Sequence, residues 1–200
     1  MIVSVNDEIK KLLAKNSEFS ELFLNNCINS KFLAIEKLNS EIIAACFVGG
    51  ILNSNGIEIN EEFRGKGLGK KLVNEIMNEC ESRKISMLTG VFKPTNLISI
   101  KTHIKIGYRP VFTIFYNHDE GREIIVINPL NSKGKLFFNL VKVFDTQIGN
   151  AIFSLLWILM RPFLKNLIAF SGNKIPRIDF LNSLRNFEKV KKTLKDIQLN

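Results

Sequence analysis

The chain has 200 residues, 46% of them hydrophobic, and a formal net charge of +9. That length and apolar content suffice for one packed domain with an extension and exclude a natively disordered chain. Cys27, Cys46 and Cys80 show no CxxC or ligand spacing, which excludes a disulfide framework, and with His103 and His118 as the only histidines no metal set is expected.

Met1 to Val5 has the composition of a short first strand. Asp7 to Ala14 and Phe19 to Asn26 carry apolar residues at helical spacing, among them Ile9, Leu12, Leu13, Leu22 and Phe23. Phe32 to Glu36, Ile42 to Leu52 and Ile57 to Ile59 read as three antiparallel strands. Asn39 with Ser40 turns the first hairpin, and Asn53 to Gly56 the second. A helix is predicted from Leu68 to about Ser82, then a strand from Ile85 to Phe92 and a helix ending at Gly107 and Tyr108. Val111 to Tyr116 and Glu123 to Ile127 follow as a hairpin around Asn117 to Gly121.

Between Ile59 and the long helix stand Arg64, Gly65, Lys66, Gly67, Leu68, Gly69, Lys70 and Lys71. Three glycines in five positions let successive amides converge on one anion, and the helix that follows adds unpaired first-turn donors and the positive end of its dipole. The expected ligand carries a pyrophosphate. A dinucleotide fingerprint would need Gly where Lys70 stands. A P-loop would need Gly at Arg64 and Ser or Thr at Lys71.

The spacing RxxGxG, as Arg64, Gly67 and Gly69, resembles the coenzyme A pyrophosphate loop of the GNAT acyltransferases. The likeness continues downstream. Asn96, Ser99, Gly107 and Tyr108 match an Asn, a small residue and a closing Gly-aromatic pair of that family, while His103 occupies a slot usually held by Tyr. The resemblance implies an α/β domain over residues 1–129 with a GNAT-like mixed central sheet. Its fourth and fifth strands, Ile57 to Asn60 and Ile85 to Phe92, would run parallel and splay apart around the pantetheine arm of acetyl-coenzyme A. The cofactor would be held by the backbone of Ile57 to Ile59, by Arg64, Gly65, Lys66, Gly67, Leu68, Gly69 and Lys70, and at Asn96.

The family's Tyr is often the acid that protonates the leaving thiolate. Histidine, with an ordinary pKa of about 6.5, can take that role, worth roughly 10² to 10⁴ in rate; the alternative is a ring packed near the cofactor. Glu58 points to the opposite face of its strand from Ile57 and Ile59 and is the candidate base for the acceptor ammonium; the alternative is a solvated strand residue. Glu61 and Glu62 read as loop surface charges.

Residues 130–200 fall outside the resemblance. They hold 12 Lys and Arg against 4 Asp and Glu, whereas the first 129 residues hold 16 against 15. Ile148 to Met160 is the most apolar run of the chain. It is too short for a membrane span of about 20 residues and has a narrow polar stripe through Asn150, Ser154, Arg161 and Lys165. Leu136 to Phe144, Ile148 to Met160 and Phe163 to Phe170 therefore suit either a peripheral membrane contact through residues 136–170 or packing on the domain or on a second subunit of a homodimer. Nucleic acid is disfavoured, because the basic residues are interleaved with long aliphatics. Ser171 to Asn173 reads as a hinge before an amphipathic helix, Asp179 to Ile197.

These readings converge on an acetyl-coenzyme A dependent N-acetyltransferase acting on a primary amine of a small molecule, amino sugar or protein. The alternative is a non-catalytic acyl-coenzyme A binding protein with a membrane- or partner-binding tail. Three unpaired cysteines, and a start in which Asp7 and Glu8 precede Lys10 and Lys11, lead to an expected cytoplasmic location, at the inner membrane face if the tail meets lipid.

Overall fold

A computed structural model of the protein describes residues 1–115 and 122–163, with Lys192, Lys195 and Asp196. The described residues fall into two compact units, Met1–Leu88 and residues 89–163 with Lys192, Lys195 and Asp196.

The first unit contains β1 (Ile2–Val3), α1 (Asp7–Ala14), α2 (Glu21–Ile28), β2 (Ser30–Leu38), β3 (Glu41–Gly49), β4 (Ser54–Ile59) and α3 (Leu68–Ser82). Both short helices begin at a polar cap. Asn6 Oδ1 accepts from the Ile9 amide at 2.8 Å, and Ser20 Oγ from the Phe23 amide at 3.3 Å. The apolar face of α1 and α2 buries Ile9, Leu13, Phe23 and Cys27 with Leu33, Ile35, Ala45 and Phe47 of β2 and β3. The rings of Phe19 and Phe23 meet edge-on at 5.2 Å, and Phe23 reaches Phe47 at 5.6 Å. Leu72, Val73, Ile76 and Cys80 are the buried face of α3, which also packs on β2 and β3.

The first hairpin turns at Asn39 and Ser40, both with positive φ, as a two-residue turn requires. The second differs from expectation. β3 ends at Gly49, the turn runs through Gly50 to Asn53, and Ser54, Asn55 and Gly56 belong to β4. Gly56 is in the strand for a packing reason: it pairs with Phe47, and a Cβ there would lie 2.7 Å from that ring.

The second unit contains most of β5 (Met87–Phe92), then α4 (Leu97–Lys105), β6 (Arg109–Phe115), β7 (Arg122–Pro129), α5 (Ser132–Val141) and α6 (Gln147–Met160). β6 and β7 are antiparallel. All seven strands make one mixed sheet in the order β1-β2-β3-β4-β5-β7-β6, with β4 and β5 parallel, the α/β arrangement that the sequence implied. Asn131 caps α5 and Thr146 caps α6, with a short 3₁₀ turn, Lys142–Phe144, between the two helices. Most of the predicted last helix, the hinge at Ser171 to Asn173 and the run Leu164 to Phe170 lie outside the described residues.

α6 turns out inverted relative to a wetted polar stripe. Its inward face carries Gly149, Asn150, Ser154 and Trp157, and its aliphatics face outward. Ser154 Oγ donates to the Asn150 carbonyl at 2.9 Å, which lets the serine be buried without an unmet hydroxyl. Among the described aromatics of α5, α6 and the turns beside them, Trp157 is buried, Phe137, Phe138, Phe144 and Phe153 are half-buried, and Phe163 is exposed.

Candidate active site

In the first unit, β4 leads through a 3₁₀ turn, Glu61–Phe63, into the glycine loop and α3. Gly65 and Gly67 have φ of 75° and 81°, so both are required by conformation: an L side chain there is strained although space is open around each. Gly67 is the N-cap of α3. No side chain caps that helix, and its first turn holds no acid. Its first amides therefore point outward as donors beside the positive end of the dipole. Gly69 is different: a Cβ there would meet Ile59 at an ordinary 3.5 Å.

The loop cations are exposed. Lys66 Nζ lies 4.9 Å over the Phe63 ring, and Lys71 is paired with Glu36 at 2.7 Å, a hydrogen bond that raises the lysine pKa. Arg64 bends back, its Nε donating to the Ile59 carbonyl at 3.1 Å. This arrangement fits a pyrophosphate: backbone donors in a turn only glycine tolerates, with cations around it and no carboxylate within.

The Asn60 amide donates to Ile43 on β3. By the two-residue period of the strand, Glu58 also directs its backbone groups toward β3, whereas Ile57 and Ile59 direct theirs to the other edge of β4. Ile57 and Ile59 are among the residues whose backbone the resemblance assigned to the cofactor. Glu58 pairs with Ala45 and so projects to the α1 and α2 face. Its carboxylate accepts from the Ser20 amide at 2.8 Å and from Ser20 Oγ at 2.5 Å. Glu58 is therefore not a free solvated strand residue; it ties β4 to the start of α2. Ser20 went unremarked in the sequence, although a serine three residues before Phe23 is a capping signal. The same linker holds β4 elsewhere: Asn16 Nδ2 donates to Asn60 Oδ1 at 2.8 Å, and the Glu61 amide to Glu18 at 2.7 Å.

The second unit holds Asn96 and His103. Asn96 caps α4, its Oδ1 accepting from the Ser99 amide at 3.2 Å. The His103 Nδ1 lies 2.7 Å from the Ser99 carbonyl. A carbonyl can only accept, so the hydrogen is on Nδ1 and Nε2 presents a lone pair. The ring is 2% exposed, between Phe92 at 4.6 Å and Tyr108 at 5.0 Å, and no hydrogen bond reaches Nε2 among the described residues. Burial lowers its pKa below 6.5. The ring is neutral at pH 7, with its one hydrogen engaged by backbone, and in this form has no proton to give a thiolate.

α4 ends as its sequence requires. The Tyr108 amide donates to the His103 carbonyl and the Gly107 amide to that of Ile104, with Gly107 at φ 101°. This is a Schellman stop, which needs glycine. The three buried cysteines carry no such chemistry: burial pushes the thiols of Cys46 and Cys80 up to about 12 and Cys27 higher still.

Residues 14–108 match the family model described as Acetyltransferase (GNAT) family. The fold is similar to that of the ribosomal-protein-S18-alanine N-acetyltransferase from Escherichia coli, with a TM-score of 0.51 and 18% identity over 66% of this chain and 94% of that one. It is equally similar to an IAA acetyltransferase from Bacillus cereus ATCC 14579, TM-score 0.51 and 14% identity over 64% of this chain and 97% of that one. No curated protein matches the chain.

Proposed function

Residues 14–108 form a domain of the GNAT acetyltransferase family, and from this we infer that the protein transfers an acetyl group from acetyl-coenzyme A directly to a primary amine. The observation that carries the reading is the uncapped start of α3 behind Gly65 and Gly67, with exposed Arg64, Lys66 and Lys70 and no acid in the first turn. Its donors suit a pyrophosphate, and the backbone of Ile57 and Ile59, directed to the edge of β4 away from β3, suits an acyl carbonyl or pantetheine amides.

The acceptor arrives as an ammonium and must lose a proton before its lone pair can attack. Glu58, whose carboxylate accepts from the Ser20 amide and hydroxyl, keeps lone pairs for that proton or for a relaying water. The new N–C bond forms as the C–S bond breaks, and the thiolate departs with the sulfur electron pair. The acylated nitrogen then sheds its second proton through water, and the thiolate takes a proton from that water to leave as the thiol. His103, neutral and buried, positions α4 in this reading instead of acting as acid. The acceptor class is a small-molecule amine, an amino sugar or a protein amine, and the expected compartment is the cytoplasm.

The test is free-thiol release from acetyl-coenzyme A across a panel of amines. Amine-dependent release is the expected result. Tight binding of acetyl-coenzyme A with no release on any amine would overturn transfer and leave an acyl-coenzyme A binding module.

A further inference from the structure

The C-terminal helix pair has its polarity reversed. Residues turned toward the protein in α6 include Asn150 and Ser154, 4% and 1% exposed, whereas Ile148, Ile152, Leu155, Leu156, Leu159 and Phe163 face outward. Ile148 is 75% exposed and Leu159 65%. Leu136, Leu140 and Val143 are likewise exposed on α5 and the turn after it. A helix that must meet water has the opposite arrangement. A helix whose outer neighbour is hydrocarbon has this one.

No single described helix is long and apolar enough to cross a membrane, but Ser132–Phe144 and Gln147–Phe163 together have the length and composition, with a bend of 104° between them. Two ordinary causes of such composition do not apply. A buried core helix would hide these aliphatics, and a signal sequence would stand near the N-terminus. With 14 residues, α6 is about 21 Å long, against a hydrocarbon core of about 30 Å. Lys133, Lys135 and Lys142 are exposed along the pair, with Asp145 its one acid.

We propose that α5 and α6 seat in one leaflet of an anionic lipid bilayer, the outward aliphatic face among the acyl chains and the Asn150–Ser154 stripe turned to the protein. The pair enters without crossing, because its bend keeps both ends on one side. The basic side chains meet the headgroups and add attraction that salt weakens, while the aliphatic contact is insensitive to salt. The occupant is lipid, not a second copy, because the exposed Lys133, Lys135 and Lys142 outnumber the pair's one acid and would face their own kind across a twofold interface, whereas anionic headgroups complement them.

The full chain is mixed with vesicles of equimolar phosphatidylcholine and phosphatidylglycerol and separated by flotation. Wild type should float. The double variant Leu155→Asn with Leu159→Asn changes only exposed positions and should lower partitioning at least roughly tenfold. In Leu159→Trp, emission should shift to the blue and be quenched by brominated acyl chains, while Trp157 in wild type, facing inward, should be little quenched. Equal flotation of wild type and the double variant would overturn the proposal. So would an unquenched Leu159→Trp on floating vesicles, which would mean adsorption by charge alone. A lipid-free dimer that the double variant dissociates, with no flotation of wild type, would give the face to a second copy.

Discussion

The imidazole of His103 carries its hydrogen on the nitrogen facing Ser99, and that placement sets what the residue can do. Its pKa is depressed by burial, so unfolding favours protonation. The stabilising contribution of the neutral ring is therefore fully present above pH 6.5, its ordinary value, and is lost as pH falls through the lower folded value. His103→Gln keeps a donor for Ser99 and removes the titration. Thermal melts should show a weaker loss of stability on acidification than wild type, with kcat within about tenfold of it. A fall in kcat of roughly 10² to 10⁴ at unchanged stability would instead restore the acid role. The spacing of Asn96, Ser99 and His103 was legible in the sequence, but it is also the spacing of one helix's own cap and i to i+4 hydrogen bond. Glu58 is a similar case. Its strand position was readable, whereas its engagement by Ser20, 38 residues earlier, depends on which helix end the fold brings to β4.

Among the elements, those with local signals were located well. α1 and α3 match their predicted limits because caps, glycines and apolar spacing act over a few residues. The β3 to β4 turn was displaced because Gly56 looked like a turn glycine; its real cause, the Phe47 ring across the sheet, is a contact between strands. Gly149 shows the same dependence. A Cβ there would lie 2.2 Å from the Val143 carbonyl oxygen and 2.9 Å from the Phe144 Cα, so the bend between α5 and α6 closes only over glycine. Gly149→Ala should cost about 2 kcal/mol, read by urea unfolding, because backbone on both sides must shift. An unchanged midpoint and slope would show that the bend has room to relax.

For the molecule as a whole, the charge surplus and the anion cradle are separate features. Residues 130–200 hold 12 of the 28 Lys and Arg but only 4 of the 19 Asp and Glu, while the cradle lies in a nearly balanced stretch. Coenzyme A at about a hundred times its dissociation constant should stabilise the folded protein by about 2.7 kcal/mol, seen as a raised Tm, and Lys70→Glu should remove most of that rise at the same concentration. No shift for wild type at saturating coenzyme A would sink the cradle assignment. The sequence by itself determined the α/β order, the glycine loop ahead of α3, and the apolar run with its polar stripe, because each follows from neighbours a few residues apart. Tertiary structure alone decided that Asn150 and Ser154 of the stripe face the protein and the aliphatics face outward. Periodicity states that a helix has two unlike faces; only packing against the rest of the chain chooses which one is buried.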